Sequence, residues 1–172
     1  LTRLSETRLA DFVRDIHIGD APVGQWIGTS YTYTQEATYP LTADAPLRIE
    51  NSYGLVSLSP GSDGEVRVRL RKVVYENDEA RAKNIADQVS IQTVPQGQAE
   101  AASFMIRTNR DDLSAKDYRF NTDLEILVPK RTRLQVRNSF GELRATNLEG
   151  KLDLSTTHNT LDVRVCTGDF TL

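Results

Sequence analysis

The C-terminal part of the chain repeats one pattern every nine residues, and this repeat restricts the possible folds more than any other feature. Cut from Thr132, the stretch reads TRLQVRNSF, GELRATNLE, GKLDLSTTH, NTLDVRVCT and GDFTL. Apolar side chains occupy the third and fifth positions of every unit, and polar ones flank them. This alternation is typical of a short strand with one buried face. Since a turn every nine residues leaves no room for helical crossovers, we predict an all-β fold in which the units stack as a β-solenoid or a tight meander.

Glycine or asparagine opens each unit after the first, at positions 141, 150, 159 and 168. These residue types suit a turn that needs positive φ, because Gly has no Cβ and Asn tolerates the left-handed region. The segment Asn51-Ser52-Tyr53-Gly54 matches Asn138-Ser139-Phe140-Gly141 in the same register, so we expect the repeat to organise the early part of the chain as well. We interpret seven residues as structural turn residues, the two inward asparagines capping backbone groups: Asn51, Gly54, Asn138, Gly141, Gly150, Asn159 and Gly168.

Outside the repeat, the sequence predicts two helices and several further strands. Residues 5–16 carry apolar side chains at helical spacing behind Ser5, which predicts a short N-terminal helix. Asp78 caps a second predicted helix at about 78–89, and its buried stripe is Ala82, Ile85, Ala86 and Val89. Strands are expected near 26–33, 65–75, 90–94, 103–108 and 118–128, with exposed loops at 95–102 and 109–117. We expect residues 1–36 to form the helix and a lead-in segment, and 37–172 to form one β-repeat domain that continues past Leu172 in the natural protein.

The succession of LRIENSYG, VRVRLRK, DEARAKNIAD and LEILVPKRTRLQVRNSFGELRATNLEG resembles a bacterial β-strand-repeat domain of unknown function that is often labelled "putative adhesin". The resemblance covers about residues 37–172. It is carried by the Asn-Ser-aromatic-Gly turns, the Val-Pro strand end followed by Leu-x-Val, and the rungs spaced by Asn or Gly. It implies a β-solenoid-like fold and a place in the bacterial cell envelope, periplasmic or extracytoplasmic. It supplies no catalytic residues.

Composition excludes some classes of function. The net charge is −3 without a clustered basic patch, which disfavours a general nucleic-acid binder. No apolar run approaches the roughly 20 residues that a membrane-spanning helix needs. The chain begins at Leu1 and stops in the middle of a predicted strand, so we expect a signal peptide or anchor, if there is one, to lie outside it.

Residues that could carry catalysis or bind a metal are few. His17, His158 and Cys166 are the only histidines and the only cysteine, and none has a neighbour at the spacing of a zinc site. A nucleophile elbow, a phosphate-binding loop and a dinucleotide fingerprint are all absent from the sequence. We therefore expect a non-catalytic protein without a cofactor or metal, and we keep an unrecognised enzyme as an alternative.

The outward positions of the repeat remain free for function. We predict that they form a partner-binding face for a protein or a glycan, and the alternative is an ordinary solvated face. A second hypothesis is self-assembly through strand edges, because the open end of a strand stack can pair with another copy. The residues of the predicted face are Arg133, Glu142, Arg144, Lys151, Asp153, Asp162 and Arg164.

Overall fold

The structure is a computed structural model that describes residues 14–15, 29–41, 45–96 and 103–172. Within these ranges the chain forms thirteen strands and one α-helix. The strands are β1 (Arg14–Asp15), β2 (Ser30–Pro40), β3 (Pro46–Tyr53), β4 (Val56–Pro60), β5 (Glu65–Tyr75), β6 (Ile91–Gln96), β7 (Ser103–Thr108), β8 (Phe120–Val128), β9 (Arg133–Phe140), β10 (Leu143–Thr146), β11 (Glu149–Thr156), β12 (Leu161–Arg164) and β13 (Thr167–Thr171). The helix, α1, is Glu79–Gln88, and Asp111–Leu113 forms a 3-10 turn.

The strands form two sheets that share one hydrophobic core. The first sheet has the order β1-β2-β5-β8-β4-β10-β12, and the second has the order β13-β11-β9-β3-β7-β6. Residues alternate between buried and exposed along the central strands, as in β5 and β8, and the buried ones from both sheets belong to a single cluster. The outer faces of the two sheets therefore point away from each other.

Consecutive strands of the repeat lie alternately in the two sheets. As a result, each strand pairs in parallel with the strand two units later, so that Leu134 lies opposite Leu152 and Leu143 opposite Leu161. The early match of the sequence is also a physical contact, because β3 pairs with β9 and Asn51 lies opposite Asn138. Two nine-residue units, with one strand in each sheet, therefore make one full turn of the chain, which we call an 18-residue coil.

The all-β prediction with one inserted helix is confirmed for the described residues. The sheets are mixed, because β2, β5 and β8 pair antiparallel, as do β6 and β7, so a regular solenoid stays a prediction. The predicted N-terminal helix lies outside the described residues except for Arg14 and Asp15, which form a strand and not a helix. Strand β2 runs across the predicted boundary between residues 36 and 37.

Helix α1 follows the sequence prediction closely. The side chain of Asp78 accepts a hydrogen bond from the Arg81 amide at 2.7 Å and satisfies one of the free donors of the first turn. The predicted stripe of Ala82, Ile85, Ala86 and Val89 is buried in the core. None of the helices within the described ranges combines the length and the apolar character needed to cross a bilayer.

Lys72 is a charged residue at an inward position of β5, where the alternation predicts an apolar side chain. It is 1% exposed, and its Nζ donates to the carbonyl oxygen of Ala86 at 2.9 Å. That carbonyl lies in the last turn of α1, where the helix dipole favours a positive charge. Desolvation by burial nevertheless lowers the pKa of Lys72 to about 8, with the Asp87 carboxylate acting in the opposite direction.

Positive φ occurs at some of the unit boundaries and not at others. Gly150 and Gly168 have positive φ, but Gly141 and Asn159 do not, and the left-handed positions Asn147 and Val165 are not unit starts. Gly54, the counterpart of Gly141 at the end of β3, has φ of 109°. Gly141 is required by close approach and not by φ, since a Cβ there would lie 1.9 Å from the Gly54 carbonyl oxygen.

Candidate binding site

The predicted partner-binding face does not form one surface. Arg133, Lys151 and Asp153 belong to β9 and β11 of the second sheet. Arg144, Asp162 and Arg164 belong to β10 and β12 of the first sheet, and Glu142 directly precedes β10. Since the outer faces of the sheets are opposed, one partner patch cannot cover all seven residues.

The charged residues on the first sheet pair along their own strands. Arg144 and Glu142 are 2.6 Å apart, and Arg164 and Asp162 are 2.8 Å apart. The hydrogen bond from Arg164 lowers the pKa of the Asp162 carboxyl. Such exposed pairs add little stability, because water and salt screen them.

The inward asparagines hold the turns that lead from the second sheet to the first. Nδ2 of Asn138 donates to the carbonyl oxygens of Gly54 and Glu142 at 2.9 and 3.1 Å. Asn51 occupies the equivalent place one rung away and donates to the Thr122 carbonyl oxygen at 3.1 Å. In the following rung, Thr156 stands opposite Asn138, and its hydroxyl donates to the Gly141 carbonyl oxygen at 3.0 Å. These side chains donate to backbone carbonyl oxygens at the turns, and the Glu142 carbonyl oxygen also accepts from the Val56 amide at 2.9 Å.

An aromatic column runs outside these turns. The rings of Tyr53 and Phe140 stack with centroids 4.7 Å apart, and Phe140 and His158 stack at 4.5 Å. On the other face of Tyr53 lies the guanidinium of Arg110, 4.3 Å from the ring centroid. The column is half exposed, with Tyr53 at 41% and Phe140 at 42%. The imidazole ring of His158 is therefore the last ring of this aromatic column.

The segment after β7 folds over the aromatic column and the outer face of the second sheet. It is tied to the end of α1 by Asn109, whose Nδ2 donates to the Gln88 carbonyl oxygen and whose Oδ1 accepts from the Ser90 amide, both at 2.7 Å. Arg110 is fixed between Tyr53 and Phe120 and donates to the Phe120 carbonyl oxygen. Asp111 follows and accepts from the Ser52 hydroxyl at 2.8 Å. The segment 109–117, which the sequence predicts to be an exposed loop, is therefore held in place by these contacts and forms one side of the surface described next.

Two concavities form on either side of Asp111. The first, which we call the polar cleft, has a volume of about 260 Å³ and is lined by Glu50, Asn51, Ser52, Arg107, Thr108, Asp111, Arg137 and Ser139. The second, which we call the aromatic cleft, has a volume of about 220 Å³ and is lined by Tyr53, Arg110, Asp111, Leu113, Ser114, Lys116, Tyr118 and Phe120. Both lie at the C-terminal end of β3, where Ser52 lines the polar cleft and Tyr53 lines the aromatic cleft.

The charges of the polar cleft follow from the strand register. Glu50 of β3 lies between Arg107 of β7 and Arg137 of β9, directly opposite each. The carboxylate of Glu50 pairs with Arg48 at 2.5 Å, and Arg137 lies 3.5 Å from Asp153. Arg107 donates through Nε to Gln92 at 3.1 Å. The cleft therefore presents donors and acceptors side by side, with the two arginines balanced by Glu50 and Asp111.

Sequence reasoning found only part of this site. The Asn-Ser-aromatic-Gly match locates Ser52, Tyr53 and Ser139 but assigns them to turns. The sequence predicts an exposed loop at 109–117. It gives no sign that Arg110 contacts Tyr53 or that Asp111 contacts Ser52, each more than 50 positions earlier in the chain. No group of His, Cys, Asp and Glu within the described ranges could hold a metal ion, and His17 lies outside them.

Comparisons with known proteins add little to the geometry. No family model matches the chain, so the family resemblance stays a prediction. No curated protein matches it either. Among solved structures, it is similar to one described as a "putative cell adhesion protein" from Clostridium sporogenes, with 11% identity and a TM-score of 0.38, over 74% of this chain and 60% of the other. It is also similar to a "putative adhesin" from Bacteroides fragilis, with 14% identity and a TM-score of 0.33, over 81% of this chain and 62% of the other. The chain thus spans less than two thirds of either structure, and likenesses of this extent establish neither fold nor function.

Proposed function

We propose that the protein is a non-catalytic binding module of the bacterial cell envelope. In this proposal a solenoid-like stack of parallel strands serves as a rigid support. The partner, a protein or a glycan, binds at the end of β3, where the aromatic column and the polar cleft lie. The observation that carries the proposal is the hydrogen bond between Ser52 and Asp111, which links the outer sheet face to the segment 109–117 and creates concave walls on both sides.

The chemistry of the clefts favours recognition over catalysis. Their charged groups are in contact with fixed partners: Asp111 with Ser52, Glu50 with Arg48, and Arg110 with two aromatic rings. Groups held in this way bind a ligand without costly reordering, which is the advantage of preorganisation. A cleft on rigid strands, placed between rungs, is a typical position for a binding site in a repeat protein.

Photo-crosslinking tests this proposal. A benzophenone amino acid is placed at Ser139 in the polar cleft and, as a control, at Ser57 on the outer face of the first sheet. Both variants are exposed to protein and polysaccharide fractions of bacterial envelopes. We expect a discrete adduct at position 139 only, and its loss when Arg107 and Arg137 are changed to Glu but not when Arg144 is. Equal labelling at both positions, or an adduct that survives the double charge reversal, would contradict the proposal.

A second candidate function is end-to-end self-association, which the edge strands favour. Within the described residues, β12 and β13 each have a neighbour on one side only, and β13 is exposed along its length. Phe170 continues the buried column of Leu134 and Leu152 and is 40% exposed. The opposite edge of the second sheet, β6, contains Pro95, which cannot donate to a further strand.

Light scattering behind size-exclusion chromatography over a concentration series tests this second candidate. We expect the mass to rise with concentration, and we expect Phe170→Lys, which places a charge on the edge, to hold the protein monomeric. Lys151→Glu, on the outer face of β11, is the matched control and should associate like the wild type. A wild-type protein that stays monomeric at every concentration rules the candidate out.

A further inference from the structure

We infer that the polar cleft binds a neutral sugar ring of a saccharide, with the aromatic cleft accepting the adjoining unit. This inference deepens the proposed function by naming the class of ligand, and it rests on the proposal that the partner binds at the end of β3. It is argued from the donors, acceptors and walls of the two clefts.

The polar groups of the cleft match vicinal hydroxyl groups. A sugar hydroxyl both donates and accepts a hydrogen bond, so adjacent hydroxyls need adjacent acceptors and donors. Here Glu50 lies opposite Arg107 and Arg137 on the two neighbouring strands, whose backbones are about 4.8 Å apart. The hydroxyls of Ser52 and Ser139 can act in either role.

The formal charges of the polar cleft cancel. Two arginines stand against Glu50 and Asp111, so a polyanion such as nucleic acid gains contacts with the cations and loses as much to the carboxylates. The same arginines repel a free cation. An apolar peptide has little to bury here, since the lining side chains are polar. A neutral ligand rich in hydroxyls fits this balance of charges.

The aromatic cleft supplies the contact that the apolar C–H face of the next sugar needs. Leu113 and Tyr118 line it, with the Lys116 ammonium 5.4 Å from the centroid of the Tyr118 ring, and the Tyr118 hydroxyl accepts from the side-chain amide of Gln88 at 3.3 Å. Both faces of the Tyr53 ring are covered, by Arg110 and Phe140, so that this residue offers its edge. An aromatic surface with a polar tip suits a ligand that is apolar on one side and wet on the other.

The size of the polar cleft sets the length of the ligand. At about 260 Å³ it is smaller than the roughly 300–1,000 Å³ of sites for drug-sized molecules, which fits a single sugar ring. Asp111 lines both clefts, so it can accept hydrogen bonds from hydroxyls of two successive units. We therefore expect a disaccharide to bind more tightly than its monosaccharide.

Nuclear magnetic resonance titration of the ¹⁵N-labelled chain tests the inference. The probes are the methyl glycosides of glucose, galactose and mannose, the corresponding β-1,4 disaccharides, and methyl glucuronide as the charged comparison. We expect saturable shifts of the Ser52, Asp111 and Ser139 amides with at least one neutral probe. Ser139→Trp, which fills the cleft, should weaken that binding at least about tenfold. Ser57→Trp, on the other sheet, should leave it unchanged.

Several results would overturn the inference. They are the absence of saturable shifts with every neutral probe, shifts that map to the first sheet, stronger binding of the glucuronide than of the neutral glycosides, or equal binding by the two tryptophan variants with folding verified by thermal melts. A protein adduct at position 139 together with no sugar binding would refute the saccharide and leave the binding module standing. Loss of both would refute both.

Discussion

Asn51 and Asn138 are 87 residues apart in the chain and stand opposite each other in β3 and β9, where Nδ2 of Asn51 donates to Oδ1 of Asn138 over 3.3 Å. The contact joins the early segment to the C-terminal repeat at the turn. It also explains the amide in both copies of the motif, because an amide has two N–H donors and an oxygen acceptor, whereas a hydroxyl such as that of Thr156 has one donor.

Replacement of Asn138 by Ala tests this turn. The change removes the Asn138 donor from the Gly54 carbonyl oxygen, whereas the Glu142 carbonyl oxygen keeps the Val56 amide at 2.9 Å, so we expect the free energy of unfolding to fall by about 1–3 kcal/mol. Asn159→Ala, at an exposed unit start, is the control and should have a much smaller effect. Urea denaturation measures both. Equal losses for the two variants would show that the buried amide has no special role.

The close approach of the coils at Gly141 predicts a larger effect. A Cβ at this position would lie 1.9 Å from the Gly54 carbonyl oxygen, and only a movement of the backbone could relieve the clash. We expect Gly141→Ala to lower the free energy of unfolding by about 3 kcal/mol or more, at the upper end of overpacking costs. Gly64→Ala, where φ is +80° but the space is open, should cost about 1–2 kcal/mol. Thermal or urea unfolding that ranks the two in the opposite order contradicts this reading.

Val165 offers a stabilising change. It has φ of 51°, a conformation that is strained for a β-branched residue, and it is 79% exposed, so its side chain contributes little packing. The equivalent corner one coil earlier is Asn147, at φ of 55°. We expect Val165→Asn to raise the free energy of unfolding by about 1 kcal/mol. Val163→Asn, at a partly buried strand position, should instead destabilise the protein, and a loss of stability in Val165→Asn would disprove the strain.

Lys72 predicts a pH dependence with a definite sign. Its pKa in the folded protein is about 8 and the ordinary value is 10.5, so between these values the unfolded state binds more protons and stability rises with pH. The cost of burying the charge is present in full below pH 8 and disappears above about pH 10.5. Relative to Lys72→Met, the wild type should therefore gain about 2–3 kcal/mol between pH 7 and pH 10.

Chemical denaturation at a series of pH values measures that difference. Leu70→Met, a change at the neighbouring inward position, keeps the amine and serves as the control, so its stability should follow the wild-type curve at a constant offset. If the curve of Lys72→Met also runs parallel to the wild type, the amine does not titrate in this range and the prediction fails.

The repeat is visible in the sequence, and its alternation predicts correctly which residues of β9 and β11 are buried. Alternation at positions three and five of each unit placed residues such as Leu134, Val136, Leu152 and Leu154 inside, where all are buried. The capping residue Asp78 and the stripe of α1 were equally legible. These features are local, since a strand's period of two and a helix's period of 3.6 appear within a few residues of sequence.

Other features required the folded chain. The similarity of the nine-residue units does not indicate whether consecutive strands pair with each other. For this reason the sequence predicts Arg144 and Lys151 on one face, whereas the structure places them on opposite sheets. The sequence shows that Lys72 is charged, but it does not show that the side chain is buried and donates to the Ala86 carbonyl oxygen of α1. Asp111 meets Ser52 only because Asn109 ties its segment to the end of α1.

The sequence by itself determined which side of the central strands faces the core, because that alternation depends on residues a few positions apart. Tertiary structure decided which strands become neighbours, which turns need positive φ, and how the segment 109–117 forms a cleft. The physical reason is that parallel pairing is set by the path of the whole coil. Any inward alternation satisfies the core, and only the geometry of the corners selects the partner 18 or 87 residues away.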